Sequence, residues 1–149
     1  MGQAILVEMV IRDGQRLIDR LIREGMVVTA AAWVKESDSG DWYLYLVTPL
    51  VGKAGDKRRA YSRVNEVIRE LQPDDFWMEP FAKKVIGPHD PIAKEILRHW
   101  GSRPFRTPMW FRGPKLGDLA VEEALIYPPP AAAKATREDK KTKRQGEEE

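Results

Sequence analysis

The hydrophobic pattern of this chain changes period several times, and each change marks an element. From Gln3 to Glu24 the polar positions Glu8, Arg12, Gln15, Arg16, Asp19 and Arg23 recur at three- and four-residue steps. Met9, Val10, Leu17, Ile18, Leu21 and Ile22 occupy the other side, which predicts an amphipathic helix ended by Gly25. Asp13-Gly14 interrupts the pattern and leaves a second reading open, a strand from Ile5 to Ile11 followed by a helix capped by Asp13. In the single-helix reading Gly14 faces inward, where a missing side chain permits close packing on the flat Ala30–Ala32 part of a sheet.

The run from Val27 to Val51, VVTAAAWVKESDSGDWYLYLVTPLV, has a different pattern: two apolar strands around the polar cluster Ser37 to Asp41. This is the signature of a β-hairpin, about 27–51, and it predicts the centre of the fold. Pairing Glu36 with Trp42 would put Val28, Ala30, Ala32 and Val34 on one face with Trp42, Leu44 and Leu46. The opposite face would carry Trp33 beside Tyr43 and Tyr45, and a one-residue slip would exchange the sets.

Beyond Pro49 the helical period returns. Asp56 is a suitable N-cap for a helix from Lys57 to Leu71, with Tyr61, Val64, Val67, Ile68 and Leu71 inward. Phe76 to Ile86 reads as a third strand, which Pro80 confines to an edge or a bulge. Asp90 and Pro91 fit the N-cap and first position of a third helix, Ile92 to Trp100. Thr107 to Arg112 and Ala120 to Tyr127 predict a final hairpin. The expected fold is therefore α+β: a small, mostly antiparallel sheet of three to five strands with three helices packed on one face.

Composition adds a boundary. The 149 residues suffice for one domain, 1–127, but 128–149 lacks the large apolar residues needed to order it and reads as a disordered charged tail. From Lys134 onward that tail holds six basic and five acidic residues, so it is a poor polybasic arm. The net charge of +2 supplies no global attraction to nucleic acid or to acidic membranes, so any such contact must come from a local patch. Cysteine is absent, which excludes disulfides and thiol catalysis. No signal peptide or membrane span is evident, so a soluble cytoplasmic protein without membrane partners is expected.

Few residues point to chemistry. The chain has only two histidines, His89 and His99, too few for the usual zinc sets, and no cofactor motif is present. Asp90 beside His89 is accounted for as a helix cap. Asp74-Asp75, Glu79 and Glu122-Glu123 could meet in space, which keeps open a hydrolase-type enzyme with Asp74, Asp75 and His89 as participants.

Binding signals are stronger. Lys53, Lys57, Arg58 and Arg59 surround a glycine-bearing loop at a helix N-terminus, a setting suited to an anion. Arg103, Arg106, Arg112 and Lys115 alternate with Phe105, Trp110 and Phe111, with no acid between Gly101 and Gly117. Bases can stack on such rings while the cations meet phosphates. The aromatic sheet face of Trp33, Tyr43 and Tyr45 is core if the segment after Trp100 covers it, and a contact surface otherwise. The leading expectation is a non-enzymatic binding module for a protein or single-stranded nucleic acid.

Overall fold

The first helix runs straight through Asp13-Gly14. The computed structural model describes residues 8–52, 56–79, 82–102 and 106–129, and places α1 at Glu8–Arg23 with Asp13, Gly14, Leu17, Ile18 and Leu21 buried. This removes the strand-then-helix alternative for the part described, while residues 3–7 of the expected helix lie outside it. Gly25, at φ 95°, closes the helix. Its N–H donates to Ile22 O at 3.0 Å and the Met26 N–H donates to Leu21 O at 2.9 Å, the paired C-terminal bonds of a Schellman motif.

The remaining elements are β1 (Ala30–Glu36), β2 (Trp42–Val47), α2 (Asp56–Leu71), β3 (Lys83–Ile86), α3 (Pro91–Ser102), β4 (Met109–Phe111), β5 (Lys115–Leu116) and β6 (Leu119–Ile126). The fold is α+β, with three helices and a mixed, mostly antiparallel sheet. Its strand order is β3-β2-β1-β6-β4, and β5 also pairs with β6. That makes six strands where three to five were expected, because the last hairpin contributes three. β4 pairs with the end of β6 and β5 with its beginning, so the two form an edge interrupted at Gly113-Pro114. β3 is parallel to β2, and α2 supplies the crossover that a parallel pair needs.

The central hairpin has a different register from the expected one. Ala30 pairs with Val47, Trp33 with Leu44 and Lys35 with Trp42, one residue away from a Glu36–Trp42 pairing. The turn explains the slip. Gly40, at φ 72°, donates to Glu36 O at 2.8 Å, and the Glu36 N–H donates to Asp41 O at 3.1 Å. The loop thus closes on Glu36 and Asp41, and Trp33 shares a face with Leu44 and Leu46 rather than with Tyr43 and Tyr45.

Both faces of the sheet are covered, not one. Ala31, Trp33, Leu44, Leu46, Val85 and Leu125 pack beneath α1 and α2. Ala30, Ala32, Val34, Tyr45, Val47 and Ile126 pack with Ile92, Ala93 and Ile96 of α3 on the other face. Expected strand 76–86 is reduced to β3, and the segment before it has another role. The N–H groups of Trp77 and Met78 donate to the buried carboxylate of Asp13 instead of to a neighbouring strand. The proposed tail falls outside the described residues from 130 onward. Among the described residues no helix is long and apolar enough to cross a membrane.

Candidate functional site

Strand alternation decides which aromatic side chains of the last hairpin reach the surface. Met109 and Phe111 turn toward α3, where the Phe111 ring meets that of His99 edge-on at 5.0 Å. Trp110, between them, projects to the opposite side and is 50% exposed. Its ring stands against Trp42, the first residue of β2, with centroids 6.3 Å apart and planes at 71°. Arg106, Arg112 and Lys115 are exposed and make no ion pair among the described residues. β4 is an end strand of the sheet, so Trp110 and these cations lie along an open edge. Arg103 and Phe105, expected to belong to the same surface, lie outside the described residues.

The aromatic sheet face does not exist as expected. Trp33 is 1% exposed beneath α1, and its Nε1–H donates to the Tyr127 hydroxyl at 2.8 Å. That hydroxyl donates in turn to Ile11 O at 2.6 Å. A Cβ on Gly14 would collide with the Tyr127 hydroxyl and come within 2.9 Å of Trp33 Nε1. The close packing expected at Gly14 is therefore against this pair and not against the alanines. Tyr45, 3% exposed on the α3 side, donates to Glu36 at 2.5 Å. Glu36 also accepts from Lys84 Nζ at 2.7 Å, and that ammonium sits 4.5 Å from the centre of the half-buried Tyr43 ring. Burial, reinforced by the hydrogen bond to Glu36, pushes the Tyr45 phenol well above its ordinary value. Trp33 and Tyr45 are core residues, which takes them out of direct contact with a partner. Tyr43 is engaged in the same cluster.

The basic stretch of α2 lies at the other end of the hairpin. Lys57, Arg58 and Arg59 are exposed, while Lys53 falls outside the described residues. One helical turn after Arg59, Arg63 shares its face, and the two residues line a cavity of about 650 Å³ with Gly25, Met26, Val27, Thr48, Pro49 and Leu50. A shallower depression of about 400 Å³ continues along the helix past Arg58, Ser62 and Glu66. Arg63 is oriented by a 2.9 Å bond to Glu24 O.

The carboxylates named for catalysis are not gathered around either cavity. Asp74 and Asp75 use their backbone carbonyls as acceptors for Arg16, at 2.9 and 2.8 Å, and the Asp75 carboxylate accepts from Trp77 Nε1 at 2.6 Å. Glu122 pairs with Lys35 at 3.8 Å, and His89 is exposed in the turn before α3. Sequence reasoning missed Asp13, which is fully buried. One of its oxygens accepts the two amides of Trp77 and Met78, and the other accepts from Arg12 and Arg16 at 3.2 and 3.3 Å. The available signal was an acid on the otherwise apolar side of the helix. No group of three or more His, Cys, Asp or Glu residues able to hold a metal ion occurs among the described residues. Comparison of the chain with protein-family models, curated proteins and solved structures finds no match.

Proposed function

We propose that this chain is a binding module for single-stranded nucleic acid, with the β4 edge as its contact surface. The observation that carries the reading is Trp110, a tryptophan half exposed on an end strand and held against Trp42. What sets it apart is the second indole beside it on the sheet, so that two aromatic rings meet where a base could stack. Arg106, Arg112 and Lys115 are also left without carboxylate partners among the described residues, and so are free to meet phosphates. A base stacked on the indole and cations along the backbone would use both features together without requiring sequence readout.

The magnitudes are testable. Base stacking on an aromatic side chain is worth about 1–3 kcal/mol, so Trp110→Ala should weaken binding by roughly five- to 150-fold. Three phosphate contacts would give a log–log salt slope of about −2 for a single strand, and removing one cation should reduce it by about 0.7. Fluorescence anisotropy with a labelled oligothymidylate at two or more salt concentrations reads both quantities. Loss of affinity in Trp110→Ala and a shallower slope in Arg112→Ala, each with an unchanged circular dichroism spectrum, would support the reading. Absence of binding at low salt, or unaltered binding in both variants, would refute it.

A further inference from the structure

We propose that the cavity between the α1 C-terminus and the first turns of α2 binds a small amphipathic anion, a carboxylate or phosphate head on a short apolar body. Its volume of about 650 Å³ lies within the range usual for small-molecule sites. Its two walls differ in chemistry. Arg59 and Arg63 form one. Met26, Val27, Pro49 and Leu50 form the other, and Val27 is 58% exposed, one of four large apolar side chains left exposed among the described residues.

The cationic wall is available to a ligand. Arg59 makes no ion pair among the described residues. Arg63 gives one bond to Glu24 O, which fixes its position, and it makes no direct ion pair among the described residues, the nearby Glu24 carboxylate offsetting only part of its charge. The Glu24 carboxylate is already held by Arg20 at 2.6 Å. The arrangement is unfavourable by itself, since Arg59 and Arg63 repel each other at i,i+4. Lys57, Arg58 and Arg59 also crowd the positive end of the α2 dipole, with Asp56 as the acid of that first turn. A bound anion offsets the repulsion between Arg59 and Arg63, and guanidinium groups suit the planar or tetrahedral oxygens of a carboxylate or phosphate.

The apolar wall sets the body of the ligand. It is built on fixed backbone: the Thr48 N–H donates to Ile86 O at 3.0 Å, Thr48 Oγ1 accepts from the Leu50 N–H at 3.2 Å, and the Met26 N–H is tied to α1. A bare inorganic ion would use the arginines and leave Val27 and Leu50 in water. The cavity lies beyond the last residue of β2, whereas Trp42 begins that strand. The proposal therefore stands or falls separately from nucleic-acid binding.

Titration of the full chain with octanoate and octyl phosphate, followed by amide chemical shifts at low salt, tests this. Shifts at residues 25–27, 48–50 and 59–63 are expected, with octylamine and inorganic phosphate binding at least about tenfold more weakly. Arg59→Glu should weaken octanoate by about tenfold or more, and Val27→Asp by a similar factor, with melting temperatures near the parent value because both side chains are exposed. Shifts confined to other residues, equal binding of octylamine or inorganic phosphate, or octanoate affinity unchanged in both variants would each overturn the proposal.

Discussion

Replacing Asp13 by alanine is the sharpest test of how this fold is held together. The carboxylate is fully buried and divides its work between its two oxygens: one accepts the N–H groups of Trp77 and Met78, the other the guanidinium groups of Arg12 and Arg16. Alanine would leave the Met78 amide buried and unpaired, at about 1–3 kcal/mol. The Trp77 amide, beside a side chain 58% exposed, can recover water and should cost about 1 kcal/mol. The pairs to Arg12 and Arg16, whose side chains are 47% and 30% exposed, add at most about 1 kcal/mol, and alanine regains about 0.5 kcal/mol in helix propensity. The net loss is about 2–4 kcal/mol, or roughly 6–15 °C in melting temperature for a chain of this length. Asparagine should lose less than alanine, since its amide oxygen can accept both backbone bonds, while its NH₂, a donor facing two guanidinium donors, forfeits the arginine pairs. Urea unfolding gives the free energies, and hydrogen exchange gives the location, with protection lost first at Trp77 and Met78. A change in stability below about 0.5 kcal/mol for alanine, or asparagine more damaging than alanine, would refute this account.

Two further outcomes follow from the same core. Gly14→Ala should destabilise by about 1–3 kcal/mol, because the new methyl group displaces the Tyr127 hydroxyl from Trp33 and Ile11. Combined with Tyr127→Phe, the total should fall short of the sum of the single changes by at least about 0.5 kcal/mol, and strict additivity would show that the collision is not relieved there. Burial raises the phenols of Tyr45 and Tyr127 above their ordinary value, so each contributes stability that is complete below the unfolded phenol's pKa of about 10 and falls as pH rises beyond it. Lys83, which burial pushes down, acts in the opposite sense below about 10.5, so the comparison must be made against a variant. Between about pH 9 and 11 the parent should lose more stability than Tyr45→Phe, and equal losses would exclude a contribution from Tyr45.

What the sequence made legible was decided by how many sides of each element face water. The three helices each keep a polar side, and their positions follow from it: α2 begins at Asp56 and α3 at Pro91, beside the capping residues that mark them. The hairpin strands have no such side. Ala30 to Val34 are all buried, as are Leu44 to Val47, because α1 and α2 cover one face and α3 the other. A strand buried on both faces loses the polar alternation that specifies register, so the local geometry of Gly40 decided the pairing and moved Trp33 away from Tyr43 and Tyr45. Asp13 was hidden for a related reason: a polar residue on an apolar face reads as a defect until the segment that binds it, sixty-four residues later, is in place. The same covering explains where a functional surface can be. In a sheet packed on both faces, a large aromatic side chain of a strand stays in water at an open edge or at a strand end beyond the helices, whereas Trp77, more exposed still, lies outside the strands. Trp110 lies on the edge strand and Trp42 at the start of β2, and the two meet there.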